Sequence, residues 1–162
     1  MRHALKALLV ASLLTGAACG GGSDGKDLAR FAGTWSSTAG TLVTTCDGQS
    51  STSALSQTLT WSLGTSSDLI QTLPQTECII HADVDGDTAS ELGTQTCTLA
   101  TTDAYGEPVN ETVSVTAYTF ALSADGKTAT ENLSSTVLLT NNSTGVSGTC
   151  TVTETAGSYQ KQ

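Results

Sequence analysis

The sequence predicts an all-β fold: a single antiparallel barrel of about eight strands, with a two-sheet β-sandwich as the alternative. Three observations carry this. Apolar residues recur at every second position in run after run. Short segments rich in Asp, Gly and Asn separate those runs. Little helical periodicity follows the N-terminal segment, and Ser and Thr supply most of the polarity; Thr is β-branched and favours strands.

The N-terminal eighteen residues stand apart. Arg2 and Lys6 lie in the first six residues, an apolar run spans Ala7 to Leu14, and Gly16, Ala17 and Ala18 precede Cys19. That order is a secretory signal, over residues 1–18. Its apolar run is too short to cross a bilayer, which takes ~20 residues. Residues 19–27, CGGGSDGKD, are a glycine-rich tether with no packing ability. The β-domain then covers 28–162.

The elements follow in order. Asp27 to Gly33, DLARFAG, reads as one helical turn before the first strand. Leu55, Gln57, Leu59, Trp61 and Leu63 share one strand face, as do Cys78, Ile80, Ala82 and Val84. Tyr118, Phe120 and Leu122 share a third, and Val137 with Leu139 a fourth. Residues 146–153 are β-branched through the middle. VDGD (84–87) and ADGK (124–127) are Asp-Gly hairpin signals of the type I′ kind. TNNSTG (140–145) and TDAYGEP (102–108) are polar loops.

Charge excludes some partners. With Arg2 and Lys6 removed, four basic residues face fifteen acidic ones, a net charge of −11. A nucleic-acid or anionic-lipid binder needs the opposite sign. No nucleic-acid partner is expected.

Five cysteines divide as one plus four. Cys46, Cys78, Cys97 and Cys150 are an even set in an exported chain and read as two disulfides. Three connectivities are possible. Cys78 and Cys97 flank a probable hairpin, and Cys46 and Cys150 lie near opposite ends of the domain, so the pairs Cys78–Cys97 and Cys46–Cys150 are preferred. None stands in a C-x-x-C pair, and neither a zinc site nor another cofactor is expected. Seven aromatic residues make a modest core, which two disulfides would supplement.

Cys19 after small residues resembles the lipobox of bacterial lipoproteins. The resemblance implies that Cys19 becomes the first mature residue and carries a diacylglyceryl thioether and an N-acyl chain, palmitate among its acyl groups. In that family Leu usually stands three residues before the Cys; here Gly16 does, with Leu14 two positions upstream. No Asp lies beside Cys19. In the family such an Asp commonly retains the protein at the inner membrane, so its absence implies the outer membrane of a Gram-negative cell, facing the periplasm or the exterior. A lipid anchor of two or more chains holds firmly, at ~0.8 kcal/mol per buried CH₂.

FAGTWSS (31–37) resembles the G-x-W entry of lipocalin-like barrels, carried by Gly33 and Trp35. That resemblance implies a Trp packed across the closed end and an Arg near the last strand to stack on it. Lys161 is the only cation near that strand. The whole chain is also similar to small Ser/Thr/Gly-rich lipoproteins of Gram-negative envelopes, a family without a known activity.

Candidate chemistry is sparse. His81, the one histidine after the signal segment, sits mid-strand in CIIHADV, and no G-x-S-x-G elbow is present. Asp83, Asp85 and Asp87 match the first, third and fifth places of a calcium loop, but Thr88 and Thr94 occupy the Gly and Glu places. A hairpin turn with solvated acids accounts for them, and no metal is expected. Asn110, Asn132, Asn141 and Asn142 head N-x-S/T triplets and read as loop and strand residues. The function expected is non-enzymatic: a lipid-anchored envelope protein that binds a small apolar molecule in its barrel, with Trp35, Trp61, Tyr118 and Phe120 lining it. The alternatives are a surface-interaction lipoprotein with a filled core and, in another class, a hydrolase using His81 or the acidic turn.

Overall fold

The computed structural model describes residues 26–73, 78–102 and 106–162. Ten strands account for most of them: β1 Gly33–Cys46, β2 Gln49–Ala54, β3 Thr58–Leu63, β4 Leu69–Thr72, β5 Ile79–Asp85, β6 Thr88–Glu91, β7 Gln95–Thr102, β8 Pro108–Leu122, β9 Thr128–Asn141 and β10 Ser147–Lys161. All pairings are antiparallel. Eight strands close a ring in chain order, β1-β3-β4-β5-β6-β8-β9-β10, with β10 returning to β1. A sheet closed on itself is a barrel and leaves no edges where it closes.

β2 and β7 lie outside that ring. β1 uses one edge twice: Gly33–Ser36 pair with β3, and Thr41–Cys46 pair with β2. β8 does the same, with Thr119–Ala121 against β6 and Pro108–Val115 against β7. The molecule therefore has two storeys. At the closed end eight strands form the ring. Beyond it the four long strands run on, and β2 and β7 flank them in a six-stranded sheet ordered β2-β1-β10-β9-β8-β7.

Irregularities in three long strands mark the boundary. Register shifts fall at Ser37–Thr41 of β1, Val115–Ala117 of β8 and Glu154–Gly157 of β10. Bulges bend a strand and re-aim its side chains. Gly40 and Gly157 meet there: a Cβ on Gly40, at φ +138°, would lie 2.8 Å from the Gly157 Cα. Neither strand has room for a side chain at that crossing.

The ring interior is aromatic. Trp35, Trp61, Tyr118, Phe120 and Tyr159 are buried with Leu59, Leu69, Ile80, Ala82 and Val84. Phe31 follows a 3-10 turn at Leu28–Arg30 and plugs the closed end. Its carbonyl accepts the Trp35 indole N–H at 2.8 Å. Each such ring, fully buried, contributes ~1.5–3 kcal/mol of transfer free energy.

The outer surface explains the Ser/Thr composition. Register carries one row of hydroxyl residues across six strands: Thr96, Ser114, Thr136, Thr151, Thr45 and Ser50. Thr96–Ser114 and Thr45–Ser50 hydrogen-bond across their strands, at 3.1 and 2.8 Å. These two pairs satisfy one another without charge.

The turns differ from expectation. VDGD is a two-residue hairpin, but only Gly86, its first central residue, has positive φ, as in type II′. ADGK is a longer loop, closed by Ser123 and Thr128, with Gly126 at φ +66°. The turn with both central residues at positive φ, as type I′ requires, is Asp47–Gly48, at +48° and +77°.

Candidate functional site

Disulfides join Cys46 to Cys150 and Cys78 to Cys97. They bracket one row on the inner face of the upper storey. Cys97, Val113, Val137, Cys150 and Cys46 stand directly opposite one another across β7, β8, β9, β10 and β1. This row separates two different interiors.

Below it, toward the ring, lies a buried polar network. Glu131 of β9 and Glu154 of β10 are each 1 % exposed. The Tyr118 hydroxyl donates to Glu131. The Tyr159 hydroxyl lies 2.5 Å from Glu131 Oε2 and 3.0 Å from Glu154 Oε1. The Gln57 amide, from the β2–β3 connection, donates to Glu154 at 3.0 Å and to Glu131 at 3.3 Å. Tyr159 has one proton for two carboxyls, so a second proton is needed on the carboxyl side. Glu154 supplies it: burial first, and the adjacent Glu131 second, push its carboxyl up to about 9, so it is protonated at neutral pH. The same burial and charge raise both Tyr118 and Tyr159 well above the usual phenol range. Glu154 faces inward in step with Cys150 and Val152, the bulge that follows it brings Tyr159 to the same interior, and a side chain on Gly157 would collide with the Glu154 carboxyl. Two carboxyls, two phenols and one amide satisfy each other and seal the top of the aromatic core.

Above the row, the inner face is mainly apolar and opens to solvent. Thr101, Thr102, Val109, Glu111, Leu139, Asn141, Val146 and Gly148 line a depression of about 510 Å³. Leu139 is 37 % exposed and Val146 69 %. On β8, Val109 and Glu111 share the face that Tyr118 and Phe120 present inside the ring, because the extra residue at the Thr116 bulge switches the inward positions from odd to even.

The four residues expected to line a ligand cavity come together, buried inside the ring. Trp35 packs edge-on against Phe120 at 5.2 Å between ring centres, and Trp61 packs on Tyr118 and Phe120 at 5.8 and 5.7 Å. None exceeds 1 % exposure. They fill the ring with one another, and aromatic pairs at these separations are themselves stabilising.

The other candidates are dispersed. His81 is half-buried, its Nδ1 3.2 Å from Ser67 Oγ, but Ser67 directs its hydroxyl to the Leu69 carbonyl at 2.9 Å. Gln95 clamps the His81 backbone instead, accepting from its N–H at 2.6 Å and donating to its carbonyl at 2.7 Å. Asp87 pairs with Arg30, while Asp83 and Asp85 point outward from β5. Among the described residues, no group of three or more His, Cys, Asp or Glu side chains is placed to hold a metal. Cys19, the signal segment and most of the tether lie outside the described residues.

The sequence signal for the carboxyl network was parity. Glu131 sits between Ala129 and Leu133 at two-residue spacing, and Glu154 continues Cys150 and Val152. An acid in a Thr-rich strand reads as exposed, and only the closed ring makes it interior.

No protein-family model, curated protein or solved structure matches the chain.

Proposed function

We propose that the protein is an exported, non-enzymatic component of the bacterial cell envelope, anchored by lipid on Cys19, whose open end takes the apolar part of a small amphiphile. The observation that supports this most is the depression of about 510 Å³ at the open end, with Val109, Leu139 and Val146 in its wall. Exposed apolar side chains on a concave surface mark ligand or partner sites. The acidic balance of the chain and Glu111 in the wall favour a neutral or cationic head group over an anionic one. The closed, aromatic-filled ring beneath acts as a rigid base for that surface, and the two disulfides hold its rim. A non-catalytic role agrees with His81, whose neighbouring hydroxyl is directed to a backbone carbonyl.

The test uses the mature chain with Cys19→Ser, which removes the anchor. It is titrated with fluorescent alkyl probes bearing trimethylammonium, hydroxyl or carboxylate heads. Saturable binding of the first two, weakened at least about tenfold by Leu139→Asp, is expected; one buried charge opposite an alkyl chain costs on this order. No saturable binding of any probe, or equal binding by the variant, overturns the reading and leaves a filled-core surface protein.

A further inference from the structure

The ring interior satisfies its polar groups with one exception. Glu131, Glu154, Tyr118, Tyr159 and the Trp35 indole all have partners within the chain. Among the described residues, the Trp61 indole nitrogen and both polar atoms of the Gln71 carboxamide have none. Gln71 is 0 % exposed and Trp61 1 %. The two residues are direct partners across β3 and β4, so their side chains share the interior face. Buried polar atoms without partners are rare, and three of them on two residues directly opposite across β3 and β4 call for something that completes them.

We propose that Trp61 and Gln71 form a binding site for a small neutral hydrogen-bonding molecule, and that its resident is water. The chemistry selects the class. Trp61 Nε1–H and Gln71 Nε2–H each need an acceptor, and Gln71 Oε1 needs a donor. One water accepts two hydrogen bonds and donates one or two, which matches all three atoms. An alcohol or carboxamide end of a small organic molecule offers the same set. Size decides between them. The Trp61 ring is packed against Tyr118 and Phe120, and Gln71 lies between Trp61 and Ile80 in register, among fully buried side chains. Such surroundings suit a molecule of water's size with at least three polar contacts. The site is separate from the open-end depression, whose lining shares no residue with it.

The experiment is water-selective NOESY and ROESY on the uniformly ¹⁵N-labelled mature chain carrying Cys19→Ser. The two indole N–H signals are assigned by the loss of one in Trp61→Phe, which keeps an aromatic ring, or by through-space contacts to Tyr118 if that variant does not fold. Cross-peaks of the sign of a long-lived complex between the Trp61 indole proton and water are expected. They should disappear in Gln71→Leu, whose thermal midpoint should not exceed that of the parent. A cross-peak to protons of a co-purified organic molecule overturns water as the resident. Absence of any cross-peak, together with a midpoint raised by roughly 3 °C or more in Gln71→Leu, overturns the site itself, because removing truly unpaired polar atoms stabilises a fold.

Discussion

The ammonium of Lys161 stands 5.4 Å from the centre of the Trp35 ring, and the two residues are direct partners across β10 and β1. The same Nζ donates to the Arg30 carbonyl at 2.8 Å and to that of Ala29 at 3.4 Å. Trp35 in turn holds the Phe31 carbonyl. The last strand, the first strand and the 3-10 turn that plugs the ring therefore meet at one cation. The long stem of Lys161 lets its head reach both ring and carbonyls.

Lys161→Met should lower stability by about 1 kcal/mol, the scale of one partly exposed cation–π contact and its carbonyl hydrogen bonds. Lys161→Arg should retain most of it. Urea unfolding followed by tryptophan fluorescence measures both; equal midpoints for Met and wild type would show that the contact is incidental.

Stability should fall as pH rises. The Glu154 carboxyl moves from 4.5 to about 9 on folding. Between those values the native state holds a proton that the unfolded chain has released. The stabilisation is complete below about 4.5 and is lost as pH climbs through about 9. The slope reaches about 1.4 kcal/mol per pH unit within that window. Glu154→Gln, which cannot ionise, should flatten it. Urea midpoints at pH 5, 7 and 9 decide: a midpoint that climbs toward pH 9 in the parent contradicts a protonated Glu154.

The two disulfides should differ in their contributions. Cys46–Cys150 closes 104 residues of sequence and Cys78–Cys97 closes 19. In the chain-entropy model these stabilise by about 4.7 and ~3 kcal/mol. Paired Cys→Ala variants, compared by thermal midpoint, should rank in that order. Loss of the first also releases β1 from β10 at the rim of the open end, so it should weaken alkyl-probe binding more.

Gly40→Ala should be severe and Gly48→Ala mild. At Gly40 an added Cβ meets the Gly157 Cα at 2.8 Å and Leu55 Cδ2 at 2.9 Å, at φ +138°. At Gly48 nothing lies within 4 Å, and only the positive φ of 77° resists a side chain. Costs of at least ~2 and about 1 kcal/mol follow. Chemical denaturation of both variants provides the comparison; the reverse order would mean that the strands do not touch at the bulges.

Much of the ring was legible because its walls alternate. Cys78, Ile80, Ala82 and Val84 are all buried, as are Tyr118, Phe120 and Leu122. Other parts were not. Leu63 shares parity with Trp61 yet is 58 % exposed, since β3 ends there and leaves it at the rim. β1 reads as an unremarkable Ser/Thr/Gly segment, although it organises the fold by pairing with three strands. Its hairpin turn at Asp47–Gly48 gives a weak sequence signal, because polar serines follow it instead of an apolar run. Val137 and Leu139 show the same alternation as core residues but belong to the upper storey, where no opposite wall covers Leu139. Periodicity tells which face a residue takes. It does not tell how far along a strand the ring stays closed, and for that reason the proposed ligand surface rests on Val109, Leu139 and Val146 and not on the buried Trp35, Trp61, Tyr118 and Phe120.

Native mass spectrometry reads most plainly whether an amphiphile is held at the open end. The mature chain with Cys19→Ser is exported to a periplasm, purified without detergent, and compared with the same chain carrying Leu139→Asp. An extra mass of a few hundred daltons is expected on the parent, lost on denaturation and absent from the variant. A parent that flies at its bare mass, four hydrogens below the reduced chain, and that gains no mass when mixed with a long-chain alcohol, would contradict it.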